Sequence, residues 1–295
     1  EHTGKIDKAK AEALWNRCLE LYDATGHWYF CQIIAEFGEA FESYIDWFCT
    51  IDDQFPFLMD SSAPAALAHA CKYVTEAGCA DRAVYNSING SIGPENIEAI
   101  KKSDVDAAIV LAFNPGDPSV RGREKVLAEG GVAGQEKSMM AIAEECGIKR
   151  PILDTAATPL GLGSGGSFRE ILACKAIHGL PTGGAYHNMT VSWTWLKRWR
   201  KSGILERYKD AGTLLEQMGH HHFGGVEGIR QAAWSSADIG CNIMAATLGA
   251  DLIMFGPIEN CEATATAMAF SDIVLAETLR ELGGDVKIDK HPINM

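Results

Sequence analysis

Five carboxylate or amide side chains follow short apolar segments, at the points where predicted strands end. They are Asp60, Asn86, Asn114, Asp154 and Asn188. The clearest is Asp154, which ends the segment 150–154 and precedes a glycine-rich loop at 160–167. In a parallel barrel the carboxyl ends of all strands open on one face, where barrel enzymes carry out their chemistry. We therefore interpret these five residues as the candidate site.

Seven units, each a strand followed by a helix, would position these side chains. The predicted strands cover residues 29–34, 55–60, 82–88, 105–113, 151–154, 181–187 and 251–255. Apolar residues recur with helical spacing in the segments between them. The connections are too long for hairpins, so we expect parallel strands. The segment 105–113 is almost entirely apolar, as a strand covered on both faces requires.

The number of units predicts an α/β fold, and specifically a (β/α)8 TIM barrel. A barrel of eight strands needs one more strand than we find. Because the sequence opens on a helix at residues 6–24, the first strand would lie upstream of Glu1. The alternative is an open, doubly wound sheet of seven strands. No repeat or low-complexity linker divides the chain, so residues 1–295 are expected to form a single domain.

The composition limits the class of partner. A formal net charge of −13 argues against non-specific binding to nucleic acid or to an anionic membrane surface, because their phosphates would repel the chain. No run of about 18 apolar residues predicts a membrane span. The nine cysteines are scattered singly without a CxxC pair, which is typical of free thiols in the cytoplasm.

Four segments carry a resemblance to one family. They are residues 57–64, 81–89, 109–120 and 153–161. Over nearly its whole length the chain resembles the MtrH family of tetrahydromethanopterin S-methyltransferase subunits. Within that family it resembles in particular the free-standing bacterial methyltransferase of glycine betaine demethylation, which moves a methyl group from a corrinoid protein to tetrahydrofolate. The resemblance implies a pterin-binding barrel without a metal of its own, a homodimer, and a corrinoid protein as partner.

The resemblance also assigns chemistry to the polar strand ends. A reduced pterin presents N3–H beside its 2-amino group, and a carboxylate such as Asp60 or Asp154 can accept both hydrogen bonds. The pterin O4 and N5 suit the neutral amides of Asn86, Asn114 and Asn188. In the implied SN2 reaction N5 attacks a methyl group on Co(III), and the corrinoid leaves as Co(I). Asn188 is the candidate catalytic residue, because a neutral amide can stabilise charge growing on N5.

The predicted function is therefore methylcorrinoid:tetrahydrofolate methyltransferase, with tetrahydrofolate as acceptor and the corrinoid carried by the partner. The alternative is a tetrahydromethanopterin-specific, pterin-binding subunit of a larger complex. A phosphosugar aldolase barrel would need a lysine at a strand end, and the predicted strand ends carry none.

Simpler roles remain open for several of these residues. Asp60 and Asp154 could be helix N-caps, and Asn114, before Pro115, could be a turn residue. The connection 117–135 is unusually long and could shape the mouth of the site. Adjacent histidines on one element point in different directions, and those at 220–222 lack a spaced carboxylate or cysteine nearby in the sequence, which disfavours a metal site there.

Overall fold

One sheet of seven parallel strands runs through the molecule in chain order. The strands are β1 (Cys31–Ile34), β2 (Phe57–Asp60), β3 (Ala83–Ile88), β4 (Ala107–Leu111), β5 (Arg150–Asp154), β6 (Thr182–Gly184) and β7 (Leu252–Ile253). The computed structural model describes residues 4–132, 134–201, 225–256 and 258–294. The seven predicted strands and their parallel direction are confirmed.

Helices connect these strands. They are α1 (Lys8–Thr25), α2 (Gly38–Ile51), α3 (Pro64–Glu76), α4 (Pro94–Lys102), α5 (Val120–Glu124), α6 (Met139–Glu145), α7 (Ser164–His178), α8 (His187–Ser192), α9 (Thr194–Lys201), α10 (Gly225–Thr247) and α11 (Cys261–Glu281). Several begin at residues that favour a helix start: Asp7 and Ser138 accept hydrogen bonds from backbone amides of α1 and α6, and Pro64 opens α3. The predicted helix at 204–218 and the histidines at 220–222 lie outside the described residues.

Strand β6 is shorter than predicted. It ends at Gly184, and the backbone then turns into α8, where Asn188 N–H donates to the carbonyl of Ala185 at 3.1 Å. A Cβ atom at Gly184 would lie 2.8 Å from Asp154 Oδ1, and one at Gly183 would overlap the Leu252 carbonyl oxygen. Glycine therefore lets β6 lie close against β5 and β7. The prediction that Asn188 ends a strand is wrong, because this residue lies in the first turn of a helix.

Side-chain packing on the inner face of the sheet shows that the sheet is curled. Leu58, Val84 and Ile109 form an apolar cluster on that face, and Leu252 of β7 packs against it. In a flat sheet β7 would lie at least about 14 Å from β4, since neighbouring strands are about 4.8 Å apart. The larger core lies on the outer face, where residues such as Phe48 pack between the sheet and its helices.

The two outer strands of the sheet, β1 and β7, flank its open side. Helices α1 and α11 lie close together there: the side chains of Arg17 and Glu262 form an ion pair, and His27 Nε2 lies 2.8 Å from Asp272 Oδ2. Within the described residues no strand pairs with the outer edge of β1 or β7, so the seven-stranded half-barrel is shown and closure of the barrel is not confirmed. In the same part of the chain we find no helix with the length and apolar character needed to cross a membrane.

Candidate functional site

A cavity of about 1120 Å³ lies inside the curled sheet and opens at the carboxyl ends of the strands. Four of the five predicted site residues line it: Asp60, Asn86, Asp154 and Asn188. Gln32 and His187 are among the other polar residues of the lining. Exposed apolar side chains, Ile34 and Phe113 among them, form part of the wall. A cavity with apolar walls and a few convergent polar groups is typical of a small-molecule site.

The strand register explains why these residues converge. Asp60 and Asn86 are directly paired across β2 and β3. Asp154, the last residue of β5, is paired with Leu111 on one side and Gly183 on the other. Because parallel strands all end at the same edge, the polar residues at those ends share one mouth.

Asn114 is the predicted site residue that does not line the cavity. Its side chain is buried in the loop after β4, where Nδ2 donates to the carbonyl of Gly122 at 2.8 Å. Its Oδ1 accepts from the backbone amides of Gly116 and Asp117, at 3.0 and 3.1 Å. These are the bonds of a side chain that stabilises its own turn. The structure therefore places Asn114 in the turn role that its sequence left open, and we leave it out of the proposed site.

Asp154 is the most buried acid of the cavity, with 6% of its surface exposed. Its Oδ1 accepts a hydrogen bond of 2.8 Å from the backbone amide of Ala156. Burial raises the pKa of Asp154 to about 6, although the Ala156 amide and the charge of Arg123 both act to lower it. No hydrogen bond from the described residues reaches Oδ2, so this carboxylate keeps acceptor capacity for a ligand.

Arg123 holds the loop that follows Asp154. The side chain of Arg123 is 1% exposed, and its guanidinium donates to the Thr155 carbonyl at 2.9 Å, the Ala156 carbonyl at 3.2 Å and Ser167 Oγ at 2.8 Å. A further bond reaches the carbonyl of Pro118. The long connection 117–135 thus shapes the site through one buried cation. Its arginines were visible in the sequence, but nothing there indicated which carbonyls they reach.

Asp60 lies in a more open environment. It is partly exposed, and Gln32 Nε2 donates to its Oδ2 at 2.6 Å. Burial raises the pKa of Asp60, the Gln32 hydrogen bond lowers it, and the nearby charge of Glu36 raises it. Sequence reasoning missed Gln32. A polar residue inside the otherwise apolar strand at 29–34 was the signal that could have found it.

Asn188 and His187 begin helix α8 at the edge of the cavity. The Asn188 side chain is exposed, and no hydrogen bond from the described residues engages its amide. His187 Nδ1 lies 2.8 Å from the Met254 carbonyl oxygen, which fixes the proton on Nδ1 and leaves Nε2 as an acceptor when the ring is neutral. The first turn of α8 therefore presents a neutral amide to the cavity.

Comparison with known families decides the affiliation of the chain. The family model described as "Tetrahydromethanopterin S-methyltransferase MtrH subunit" matches residues 1–287. The chain belongs to the MtrH family. Relatives named for this same subunit of tetrahydromethanopterin S-methyltransferase are 46% identical over 294 residues in Methanosarcina barkeri and 41% identical over 295 residues in Methanopyrus kandleri. The alignments cover 99% and 100% of this chain and 85% and 86% of those relatives.

The fold of this MtrH-family chain was also compared with solved structures. A dihydropteroate synthase from Coxiella burnetii, in complex with pteroic acid, gives a TM-score of 0.53 at 12% identity. One from Xanthomonas albilineans gives 0.50 at 17% identity. Each match covers 91% of this chain and 86% of the other. At such low identity the similarity shows a shared α/β fold.

Proposed function

We propose that this chain is the pterin-binding methyltransferase subunit of a larger complex and that it binds a reduced pterin of the tetrahydromethanopterin type. The observation that carries the proposal is the cavity at the strand ends, on which the carboxylates of Asp60 and Asp154 and the amides of Asn86 and Asn188 converge. Membership of the MtrH family supports it, and the names of the relatives specify tetrahydromethanopterin. They give no such support to tetrahydrofolate. The function predicted from the sequence as the alternative is therefore the one proposed, and the tetrahydrofolate function becomes the alternative.

Asp154 would anchor the pterin. Its ionised carboxylate can accept from N3–H and the 2-amino group together, a bidentate charge-assisted pair that fixes both position and orientation. The loop behind it is held by Arg123, so the acceptor is positioned before the ligand arrives. Asp60 and Asn86, neighbours across two strands, would contact other polar atoms of the heterocycle.

Asn188 would act on N5, where the methyl group is transferred. When the methyl group passes from the corrinoid of a partner protein to N5, the lone pair of N5 would form the new bond to carbon, and the electron pair of the cobalt–carbon bond would stay on cobalt, as Co(I). Charge on N5 changes during this transfer, and a neutral amide can respond to it by hydrogen bonding without adding charge of its own. Alignment of the two reactants would supply most of the acceleration, since well-oriented reactions gain about 7 to 11 kcal/mol.

The partners are also part of the proposal. A corrinoid protein and further subunits would dock at the mouth of the cavity. We retain the homodimer as a prediction, and light scattering of the purified chain tests it.

We also propose that the curled sheet is most of an eight-stranded barrel, since Leu252 packs across its interior. An experimental structure that left the gap between β1 and β7 unfilled would argue for an open sheet.

Calorimetry with two pterins tests the substrate. The chain is expected to bind a tetrahydromethanopterin-type pterin at least about tenfold more tightly than tetrahydrofolate, a difference of about 1.4 kcal/mol. Tighter binding of tetrahydrofolate would restore the folate function, and binding of neither would reject the proposal. For substitutions of the cavity acids, the matched control is Asp106→Asn. Asp106 precedes β4 at the opposite edge of the sheet and pairs with Arg150.

Methyl transfer tests the role of Asn188. With free methylcobalamin as the corrinoid probe, Asn188→Ala is expected to lower the transfer rate about 10- to 100-fold. This loss is smaller than the one caused by removing a fully buried oxyanion donor. Pterin affinity should stay close to that of the wild type. An unchanged rate would remove Asn188 from the mechanism, whereas equal losses of rate and affinity would make it a binding residue.

A further inference from the structure

We propose that Glu124, Glu170 and Cys174 bind one divalent metal ion of the zinc type, between helices α5 and α7 and outside the pterin cavity. In the part of the chain that the structure describes, these are the three metal-ligating side chains whose ligand atoms all lie within 4.8 Å of one another. The site departs from the expectation that the chain has no metal of its own.

The helix spacing brings the ligands together. Glu170, Cys174 and His178 are four residues apart along α7, so all three lie on one face of that helix. Glu124, the last residue of α5, approaches the same face: its side chain contacts both Cys174 and His178. One helix thus supplies two ligands and a neighbouring helix supplies the third.

The distances fit a single tetrahedral ion. Cys174 Sγ lies 3.6 Å from Glu170 Oε1 and 3.9 Å from Glu124 Oε1. A sulfur and an oxygen bound to the same zinc ion lie about 3.5 Å apart, because the metal–ligand bonds are about 2.3 and about 2.0 Å long. The two sulfur–oxygen distances are therefore within a few tenths of an ångström of the separation in a zinc site.

An unpaired buried atom, Glu170 Oε2, favours a cation as ligand. Glu170 is completely buried, and its Oε2 has no hydrogen-bond partner among the described residues. The neighbouring Glu124 carboxylate brings a second acidic group to the same place. An isolated buried carboxylate is costly unless it is paired or coordinates a metal. The charge of Arg123 acts on Glu170, but the hydrogen bonds of its guanidinium go to the loops and to Ser167.

His178 supports the site from outside. Its Nε2 lies 2.9 Å from Glu124 Oε2, so the ring can donate to the carboxylate oxygen and hold its orientation. Outer-shell partners of this kind orient metal ligands and typically change metal affinity by about 10- to 100-fold. With three protein ligands the ion would keep one position for water. Its location, beside Arg123, would link α5 to α7 behind the loop that carries Asp154.

Metal binding by the purified full chain tests the proposal. After removal of metals with a chelator, the chain is expected to bind one equivalent of added zinc, measured by calorimetry and by elemental analysis. Glu170→Gln and Cys174→Ser should each abolish this binding, and His178→Gln should weaken it about 10- to 100-fold. The matched control is Cys71→Ser, because Cys71 is equally buried but lies on α3.

Cobalt gives a second readout, whose decisive result comes from the wild-type chain. Bound in place of zinc, Co²⁺ should produce a thiolate-to-metal charge-transfer absorption in the wild type and in Cys71→Ser, and none in Cys174→Ser. A wild-type chain that binds no zinc, or binds cobalt without that absorption, would overturn the assignment. The Glu124 and Glu170 carboxyls would then be a pair sharing one proton. Neither result bears on pterin binding. A failure of the metal-binding test would therefore leave the proposed function standing, and a failure of the pterin-binding test would leave the metal site standing.

Discussion

The two carboxylates at the strand ends of the cavity, Asp154 and Asp60, lie in contrasting surroundings. Asp154 is buried, its Oδ1 is bonded to the Ala156 amide, and the loop after it is held by Arg123. Asp60 is partly exposed, and the side chain that contacts it is the exposed Gln32. Both acids end a strand of the same sheet, so the difference comes from the loops behind them and not from the strands.

This difference suggests a division of labour. A buried acceptor in a fixed loop interacts strongly with a ligand, because the surrounding dielectric is low and little reorganisation is needed. An acceptor in contact with water is screened and can adapt. We therefore expect the Asp154 side of the cavity to set the affinity and orientation of the pterin, and the Asp60 side to tolerate change.

Loss of Arg123 should have the largest effect on this contrast. Arg123→Met removes the donors to the carbonyls of Pro118, Thr155 and Ala156 and to Ser167 Oγ. Because each buried acceptor left unpaired costs about 1 to 3 kcal/mol, we expect unfolding free energy to fall by about 3 kcal/mol or more. Urea denaturation measures it, with the exposed Arg121→Met on the same helix as control. Similar losses in both variants would mean that the Arg123 contacts contribute little.

The next largest effect is expected for pterin affinity in Asp154→Asn. A hydrogen bond to a charged group contributes about 1.5 to 3 kcal/mol, and an amide has one acceptor oxygen where a carboxylate has two, so it cannot form the bidentate pair. We expect affinity to fall about 100-fold, with the fold retained because an amide oxygen can still accept from Ala156 N–H. Calorimetry measures the change. Affinity close to that of the wild type would move the pterin away from β5.

The same substitution should stabilise the chain at neutral pH. Burial raises the pKa of Asp154 to about 6, whereas a carboxyl in the unfolded chain titrates near 3.9. The folded state therefore favours the protonated acid, and the cost of ionising it grows as pH rises from about 4 to 6 and is complete above that. At about 1.4 kcal/mol per pKa unit, the cost approaches about 3 kcal/mol.

Denaturation at two pH values checks that sign. Asp154→Asn should exceed the wild type in unfolding free energy at pH 8, by up to about 3 kcal/mol, and the excess should shrink towards zero below pH 4. A difference independent of pH would show that Asp154 is not strained by its burial. If stability rises while pterin affinity falls, Asp154 is retained for binding at a cost to the fold.

The sequence predicted the strands of this site better than its loops. Apolar segments marked all seven strands, since burial on both faces leaves a pattern that is read locally. Strand β6 ends earlier than predicted, because the backbone turns where the Ala185 carbonyl accepts from Asn188 N–H. The sequence did not indicate this turn, since neither glycine nor proline follows Gly184 directly. The turn role of Asn114 was visible in the adjoining Pro115 and Gly116.

The role of Arg123 could not have been predicted. Its partners Thr155, Ala156 and Ser167 lie 32, 33 and 44 residues further along the chain. Such contacts depend on which loops meet in space, and spacing in the sequence does not encode that. Convergence of Asp60, Asn86 and Asp154 could be predicted, because parallel strands bring their ends to one edge regardless of the loops.

Asp60→Asn should produce the smallest effect and complete the comparison. The carboxylate is partly exposed, and exposed charges contribute about 1 kcal/mol or less, so we expect pterin affinity to fall less than about fivefold. The remaining loss should diminish between about 50 and about 500 mM salt, because ions screen an exposed charge more than a buried one. The effect of Asp154→Asn should change little over that range. Calorimetry of both variants at the two salt concentrations makes the measurement. If Asp60→Asn weakened binding more than Asp154→Asn, the anchor would lie on β2, and burial would not be what distinguishes the two acids.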